Sequence, residues 1–175
     1  VAHRNDASIT GIAKFLPSVA GLLLEEEVTS LLAAIDNPEK PVLAITGGSK
    51  LETKLPLLEN FIEKTDRIVV AGVMANTLLV AQGYDVGKSG YDEEELLKAN
   101  EMLDLAKDNN VAFVLPTSQV AVGKSLDDKN RRDVSLKDVE QDDLILDFGD
   151  ESIAEVLELI SQARTIIWNG PLGYY

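Results

Sequence analysis

A strand, a helix and a second strand are predicted within residues 42–71, VLAITGGSKLETKLPLLENFIEKTDRIVVA. The two strands, 42–46 and 67–71, are short and mainly apolar, whereas the apolar residues of the segment between them, 54–63, recur at helical spacing. The apolar positions of that helix are Leu55, Leu58, Phe61 and Ile62. Strands that are apolar on both faces are typical of a parallel sheet that helices cover on its two sides. This stretch therefore predicts an α/β fold.

The same alternation continues towards the C-terminus. Further strands are predicted at 111–116, 118–122, 144–148 and 165–168. Further helices are predicted at 75–82, 92–107 and 151–163, and the charged stretch 127–143 is predicted to be surface loop. The pattern favours a doubly wound parallel sheet, Rossmann-like and three-layered (α/β/α), that is incomplete at its C-terminal end.

Local signals predict where three of these helices begin. Pro56 fits only the first turn of a helix, so the helix after Lys50 should start no earlier than Thr53. Asp92 stands three residues before Glu95, as in a capping box, and Asp150 is expected to cap the helix over 151–163.

The N-terminal part differs from this alternation. Residues 1–20 are predicted to be rich in loops, and residues 22–35 to form a helix that Asn37 and Pro38 end. The apolar positions at helical spacing are Leu24, Val28, Leu31, Leu32 and Ile35.

Composition excludes several classes of function. The net charge of −14 disfavours a nucleic-acid partner, and the absence of cysteine together with a single histidine, His3, excludes thiolate and multi-histidine metal sites. No apolar run reaches 18 residues, so no membrane partner is expected. The lack of cysteine fits the cytoplasm, which is the expected location. The chain begins at Val1, so a leader preceding it stays possible.

Glycines follow the predicted strands, at the sheet edge where doubly wound folds bind ligands. They are Gly47, Gly48, Gly72, Gly149, Gly170 and Gly173. In TGGSKLETK, residues 46–54, the glycine pair lets backbone approach a phosphate, and Lys50 and Lys54 add positive charge. The alternative is a tight turn with two solvated lysines. The segment matches neither the Walker A pattern nor G-x-G-x-x-G.

Three other segments are weaker candidates when taken alone. AGVMANTLL, residues 71–79, suits the floor of a base pocket, although packing explains it as well. IIWNGPLG, residues 166–173, presents the Asn169 amide before a Gly-Pro turn, although Trp168 is commonly a core residue. In AHRNDAS, residues 2–8, Arg4 suits a phosphate or carboxylate, with surface decoration as the alternative.

Taken together, six segments resemble the phosphoglycerate kinase family in order and in spacing. They are AHRNDAS, PSVAGLLLEEEV, NPEKPVLAITGGSKLETK, AGVMANTLLVAQGYDVGKS, LDFGDESI and TIIWNGPLG. The resemblance implies phosphoryl transfer between 1,3-bisphosphoglycerate and Mg-ADP, giving 3-phosphoglycerate and Mg-ATP in glycolysis. It also implies a monomer, and divides the chain into the end of an N-terminal substrate lobe (1–21), an interdomain helix (22–37) and a truncated nucleotide-binding lobe (38–175).

The resemblance implies a role for each matching residue. Lys50 is the catalytic residue that neutralises the moving phosphoryl group, and Arg4 contacts phosphoglycerate. The nucleotide-binding residues are Gly48, Ser49, Lys50, Lys54, Gly72, Val73, Asn169 and Pro171. The chain itself supplies no metal ligand in this scheme, because the family's aspartate for magnesium belongs to a later G-G-G-D-T/S segment that this chain lacks; Mg²⁺ is bound with ADP or ATP.

The chain also departs from the family pattern. Asp6 replaces a histidine, Ser49 an alanine, Val73 a glycine and Asp150 a proline. The family's later G-G-G-D-T/S segment and most of its first lobe are absent, so the chain is expected to be inactive alone. The alternatives are a noncatalytic nucleotide-binding α/β module and an inert acidic domain.

Overall fold

The computed structural model describes residues 5–174, and the chain divides into two compact units, Val1–Asn37 and Pro38–Tyr175. The first contains a π-helical turn, Ala7–Gly11, a 3₁₀ turn, Ile12–Lys14, and helix α1, Leu22–Asp36. The predicted helix is thus confirmed, and none of its side chains is buried. The boundary after Asn37 coincides with the predicted start of the nucleotide-binding lobe.

The second unit contains the strands and the other four helices. The strands are β1 Val42–Gly47, β2 Arg67–Ala71, β3 Ala112–Val114, β4 Val120–Gly123, β5 Arg132–Val134, β6 Leu144–Phe148 and β7 Thr165–Asn169. The helices are α2 Leu55–Lys64, α3 Gly72–Ala81, α4 Leu96–Asp108 and α5 Asp150–Gln162. No helix among residues 5–174 is long and apolar enough to cross a membrane.

Four strands form the predicted parallel sheet, in the order β3-β2-β1-β7. Strand β1 is central, and all six of its residues are buried, which is why its sequence is apolar at successive positions. One face of the sheet packs with α2, α3 and α4 around Leu58, Met74 and Leu78. The other face, with Leu43 and Ile45, packs against Val156 of α5. Helices on both faces confirm the three-layer α/β fold.

A second sheet corrects the expectation that all the predicted strands belong to one parallel sheet. Strands β4 and β6 do not join the parallel sheet; they form an antiparallel sheet in the order β5-β4-β6. The stretch 127–143, predicted to be surface loop, contains β5 and a 3₁₀ turn, Leu136–Asp138. Leu136 is buried in the main core, and Val134 and Val139 pack against it, so three apolar side chains anchor this otherwise charged segment.

The predicted caps of two helices are wrong. Asp92 makes no capping hydrogen bond; a 3₁₀ turn, Glu93–Glu95, precedes α4, and the Glu95 carboxylate pairs with Lys98 instead. Asp150 is the first residue of α5 rather than its cap. Its N–H donates to Asp133 at 2.8 Å, and Gln119 accepts from the next N–H of the helix at 3.1 Å. Side chains distant in sequence thus satisfy these first amides.

The predicted start of the helix after Lys50 is confirmed. Helix α2 begins at Leu55, after a single 3₁₀ turn over Glu52–Lys54, and Pro56 lies in its first turn. The N–H that proline lacks would have no intrahelical partner there. Lys50 consequently stays in the loop between β1 and α2.

Candidate functional site

Three loops meet at the carboxyl edge of the parallel sheet, because β2, β1 and β7 are neighbours that run in the same direction. A Cβ added to Gly47 would lie 1.8 Å from the Pro171 carbonyl oxygen, so only glycine permits this backbone contact. The N–H of Met74 donates to the Gly48 carbonyl at 3.3 Å, which ties the start of α3 to the β1 loop. The loops therefore form one continuous backbone surface.

A cavity of about 580 Å³ opens beside this surface, between the parallel sheet edge and strand β6. Five of the residues predicted to bind nucleotide line it: Gly48, Ser49, Gly72, Val73 and Pro171. The rest of the lining is largely apolar, with Leu126, Leu144 and Leu146 among it. Its volume lies in the range of small-molecule sites.

The other predicted residues lie outside that lining. The Lys54 ammonium donates to the Asn169 side-chain oxygen, and the Lys54 Cε lies 3.9 Å from where a Cβ on Gly48 would stand. Lys54 and Asn169 thus meet beside the cavity although they are 115 residues apart in the chain. Lys50 is exposed in the same loop, and its carbonyl accepts from the Thr53 hydroxyl at 3.1 Å. Arg4 lies outside the described residues.

Charge is distributed unevenly around the cavity. Asp147 is the one charged residue of the described lining, and its carboxylate accepts the N–H of Phe148 at 2.8 Å. Lys50 and Lys54 belong to the loop that brings Gly48 and Ser49 to the wall. The arrangement offers an apolar chamber for a flat group and cations beside it for an anionic one.

A network of charged residues stands just before β6. The Arg132 Nη2 donates to both oxygens of Asp143, at 3.0 and 2.9 Å, and the Lys124 ammonium lies 2.9 Å from the same carboxylate. Burial raises the pKa of Asp143, but the hydrogen bonds of Lys124 and the Glu140 N–H, with the charge of Arg132, hold it below its usual range. Hydrogen bonds to Asp142, Glu140 and Asp143 raise the pKa of Lys124.

Comparison with known proteins decides the family. The family model described as phosphoglycerate kinase matches residues 1–175. The chain belongs to the phosphoglycerate kinase family. The resemblance predicted from the six sequence segments is thus confirmed.

Relatives in the phosphoglycerate kinase family cover nearly all of this chain. The phosphoglycerate kinases of Roseiflexus sp. (strain RS-1) and Caulobacter vibrioides are 41% and 44% identical to it over 174 residues, which is 99% of this chain and 44% of each relative. The solved structure of the Coxiella burnetii phosphoglycerate kinase matches with a TM-score of 0.90 at 41% identity, over 99% of this chain and 45% of that one. The Pyrococcus horikoshii phosphoglycerate kinase matches with a TM-score of 0.72 at 27% identity, over 98% of this chain and 44% of that one. The chain therefore spans less than half the length of these relatives.

The structure gives each departure from the phosphoglycerate kinase pattern a position. Ser49 and Val73 line the cavity, and Asp150 begins α5. Asp6 is exposed, and its carbonyl accepts the N–H groups of Ile9 and Thr10, both at 2.9 Å.

Sequence reasoning missed the wall of the cavity opposite the glycine loops. That wall includes Ser89, Gly90, Leu144, Ile145 and Leu146. The apolar run of β6 was interpreted as a strand buried within the parallel sheet, whereas Leu144–Asp147 are only half-buried. The segment LDFGDESI, which carries part of the family resemblance, begins inside this strand and could have drawn attention to it.

Proposed function

We propose that this chain forms the nucleotide site of a phosphoglycerate kinase, which transfers a phosphoryl group between 1,3-bisphosphoglycerate and Mg-ADP to give 3-phosphoglycerate and Mg-ATP in glycolysis. The observation that carries the proposal is the joining of an apolar cavity to a glycine-lined, lysine-bearing loop at the carboxyl edge of a parallel sheet. The base occupies the cavity between Gly72–Val73 and β6. The phosphates extend towards Lys50, Lys54 and Asn169.

The lysines account for the chemistry that this part of the protein supplies. Phosphoryl transfer rests on positioning and on neutralising charge, with little covalent work for the protein. Lys50 stands in a loop with an exposed side chain, so its ammonium is free to reach the transferred group. Lys54 is already aligned by Asn169, and the two side chains contact the nucleotide phosphates from the turn before α2 and from the end of β7.

The magnesium ion comes with the nucleotide as part of the substrate. Among residues 5–174, one set of three carboxylates lies close enough to share an ion: Glu140, Asp142 and Asp143. These carboxylates contact Lys124 and Arg132 instead. No described carboxylate set at the lysine loop fits a resident metal, so no step is assigned to one.

The phosphoglycerate side of the reaction involves residues outside the described part of the chain. Arg4 is proposed to contact 3-phosphoglycerate or 1,3-bisphosphoglycerate, together with regions that the longer relatives possess. A monomer in the cytoplasm, without nucleic-acid or membrane partners, stays the prediction. The second candidate is a noncatalytic nucleotide-binding module, since the cavity and the lysine-bearing loop would serve binding alone.

Isothermal titration calorimetry with Mg-ADP tests the nucleotide site. The chain should bind Mg-ADP, and Lys54→Ala should raise the Kd about tenfold or more, since a charged hydrogen bond contributes ~1.5–3 kcal/mol. Lys107→Ala is the matched control. Lys107 lies in the last turn of α4, which leads into the amino end of β3, whereas the candidate site lies at the carboxyl ends of the strands. An unchanged Kd for Lys54→Ala, or no binding by the unaltered chain, would contradict the proposal.

A further inference from the structure

A junction behind the cavity joins two segments of its wall. The N–H of Lys88 donates to the Asp143 carbonyl at 2.7 Å, and the N–H of Ile145 donates to the Ser89 hydroxyl at 2.8 Å. Gly87 forms an antiparallel bridge with Leu144. The turn after α3 is thus joined to the start of β6 over three successive residues. Ser89 and Ile145 belong to the cavity lining, so this junction sets the distance between two parts of one wall.

The Asp143 side chain holds the β6 side of that junction in place. The carboxylate is completely buried, and besides Arg132 and Lys124 it accepts the Glu140 N–H at 2.9 Å. Arg132 belongs to β5, and Lys124 directly follows β4. One carboxylate therefore joins all three strands of the antiparallel sheet immediately before β6 enters the cavity wall. A buried carboxylate with this many partners is costly to disturb, because removing it leaves the cations and the N–H without their acceptor.

The turn on the other side of the junction, which contains Gly87, is packed tightly against residues 140–143. Gly87 has φ +60°, and a Cβ added there would lie 2.5 Å from the Asp143 carbonyl oxygen and 2.6 Å from that of Glu140. Backbone therefore packs directly on backbone at this point. A shift of residues 140–143 must be transmitted to residues 87–90, because no flexible side chain stands between them to absorb it.

We infer that Asp143 is a positioning residue of the nucleotide site: it sets the width of the base end of the cavity through Leu144–Leu146 and Ser89–Gly90, without touching the ligand. The inference rests on the proposed nucleotide-binding function. The phosphate end is formed by Lys50, Lys54 and Asn169, which the charged residues around Asp143 do not contact in the described structure. The loop after β7 meets β6 at Leu146, three residues beyond Asp143, where the Tyr174 N–H donates to the Leu146 carbonyl at 3.0 Å. The inference therefore distinguishes the two ends of the ligand. Loss of Asp143 should therefore weaken binding of the base and spare binding of the phosphates.

The binding test compares two ligands on the same variants. Asp143→Asn should raise the Kd for Mg-ADP about tenfold, the order expected when a site loses its supporting contacts, and change the Kd for Mg-pyrophosphate less than about twofold. Asp142→Asn is the matched control: it removes an equal charge from the same lysine, but Asp142 is exposed and touches neither Arg132 nor the turn in the described contacts. It should leave both constants unchanged. Arg132→Lys should raise the Kd for Mg-ADP in the same way but by a smaller factor. This variant replaces Asp143→Asn in the test if Asp143→Asn does not fold.

Amide hydrogen exchange without ligand gives an independent readout. In Asp143→Asn, protection should fall at Lys88 and Ile145 and persist in β1 and β2. Unchanged binding of both ligands with unchanged exchange would overturn the inference. An equal loss for both ligands, with protection lost throughout the parallel sheet, would also overturn it, because the role would then be general stability. If the unaltered chain binds neither ligand, the proposed function fails. Hydrogen exchange then decides by itself whether Asp143 positions the wall: protection lost at Lys88 and Ile145 alone supports that role, and protection lost throughout the parallel sheet contradicts it.

Discussion

At the residue scale, Thr46 has a buried hydroxyl that makes no hydrogen bond within residues 5–174. An unsatisfied buried polar group costs about 1–3 kcal/mol, and valine has nearly the same shape as threonine without the hydroxyl. We expect Thr46→Val to raise the free energy of unfolding by ~1 kcal/mol, measured by urea denaturation.

The matched control for Thr46→Val is Thr77→Val. The Thr77 hydroxyl, also buried, donates to the Val73 carbonyl at 2.8 Å and accepts the Asp92 N–H at 3.0 Å. The same substitution should therefore lower stability there by about 1–3 kcal/mol. Equal losses at both positions would show that the Thr46 hydroxyl has a partner after all.

We expect Val73 to limit the room for a base in the cavity. Its side chain lines the cavity, and its Cγ2 lies 4.0 Å from where a Cβ on Gly90 would stand, so it occupies space beside another residue of the lining. If the side chain crowds a flat base, the cost is ~1–3 kcal/mol. We expect Val73→Gly to lower the Kd for Mg-ADP about fivefold or more in calorimetry, with Val73→Ala intermediate. Looser or unchanged binding by both variants would show that Val73 does not restrict the base.

At the scale of elements, the antiparallel sheet depends on one ionised carboxylate. The pKa of Asp143 is lower in the folded chain than its ordinary value of about 3.9, so its ionisation stabilises the fold above that pH. This stabilisation is lost as the pH falls through the folded-state pKa.

Denaturation at several pH values measures that loss. Asp143→Asn should lower the free energy of unfolding by about 2 kcal/mol at pH 7, a moderate figure because Lys124 and Arg132 are partly solvated. The difference between the variant and the unaltered chain should shrink as the pH falls below about 4, because Asp143 of the unfolded chain is protonated there before Asp143 of the folded chain. A difference that stays constant down to pH 2 would contradict the assignment.

At the scale of the whole molecule, the proposed function needs two substrates, and the described cavity accounts for one of them. The cavity lies within Pro38–Tyr175, whereas Arg4 comes well before it in the sequence and the relatives are more than twice as long. In-line transfer needs both substrates oriented at once, which is worth several orders of magnitude in rate. We therefore expect the 175-residue chain to show no turnover in a coupled assay for ATP formation from 1,3-bisphosphoglycerate.

The same assay on a longer protein supplies the comparison. Joining the chain to the remaining regions of the Coxiella burnetii phosphoglycerate kinase should restore turnover, and Lys50→Ala should abolish it again. Turnover by the chain alone that disappears on Lys50→Ala would refute the prediction. An inactive joined protein that still binds Mg-ADP would favour the noncatalytic module.

The sequence by itself determined the parallel part of this fold and the edge that carries the candidate site. The apolar runs of β1 and β2, the periodicity of α2 and the position of Pro56 are local signals, because each depends on neighbours within a few turns of chain. The glycines after the strands also marked this edge in the sequence. They are needed there because the loops are in direct backbone contact, which leaves no room for a side chain. The family motifs followed from the same short segments.

Only the tertiary structure decided which strands pair and which side chains meet. An apolar run states that a strand is buried, but not which sheet buries it, so β4 and β6 could not be assigned to the antiparallel sheet in advance. The partners of the α5 amides, the pairing of Lys54 with Asn169 and the charges around Asp143 all join residues that are distant along the chain. Such contacts form only when folding brings the groups together, because hydrogen bonds and ion pairs act over a few ångströms and leave no periodic trace in the sequence.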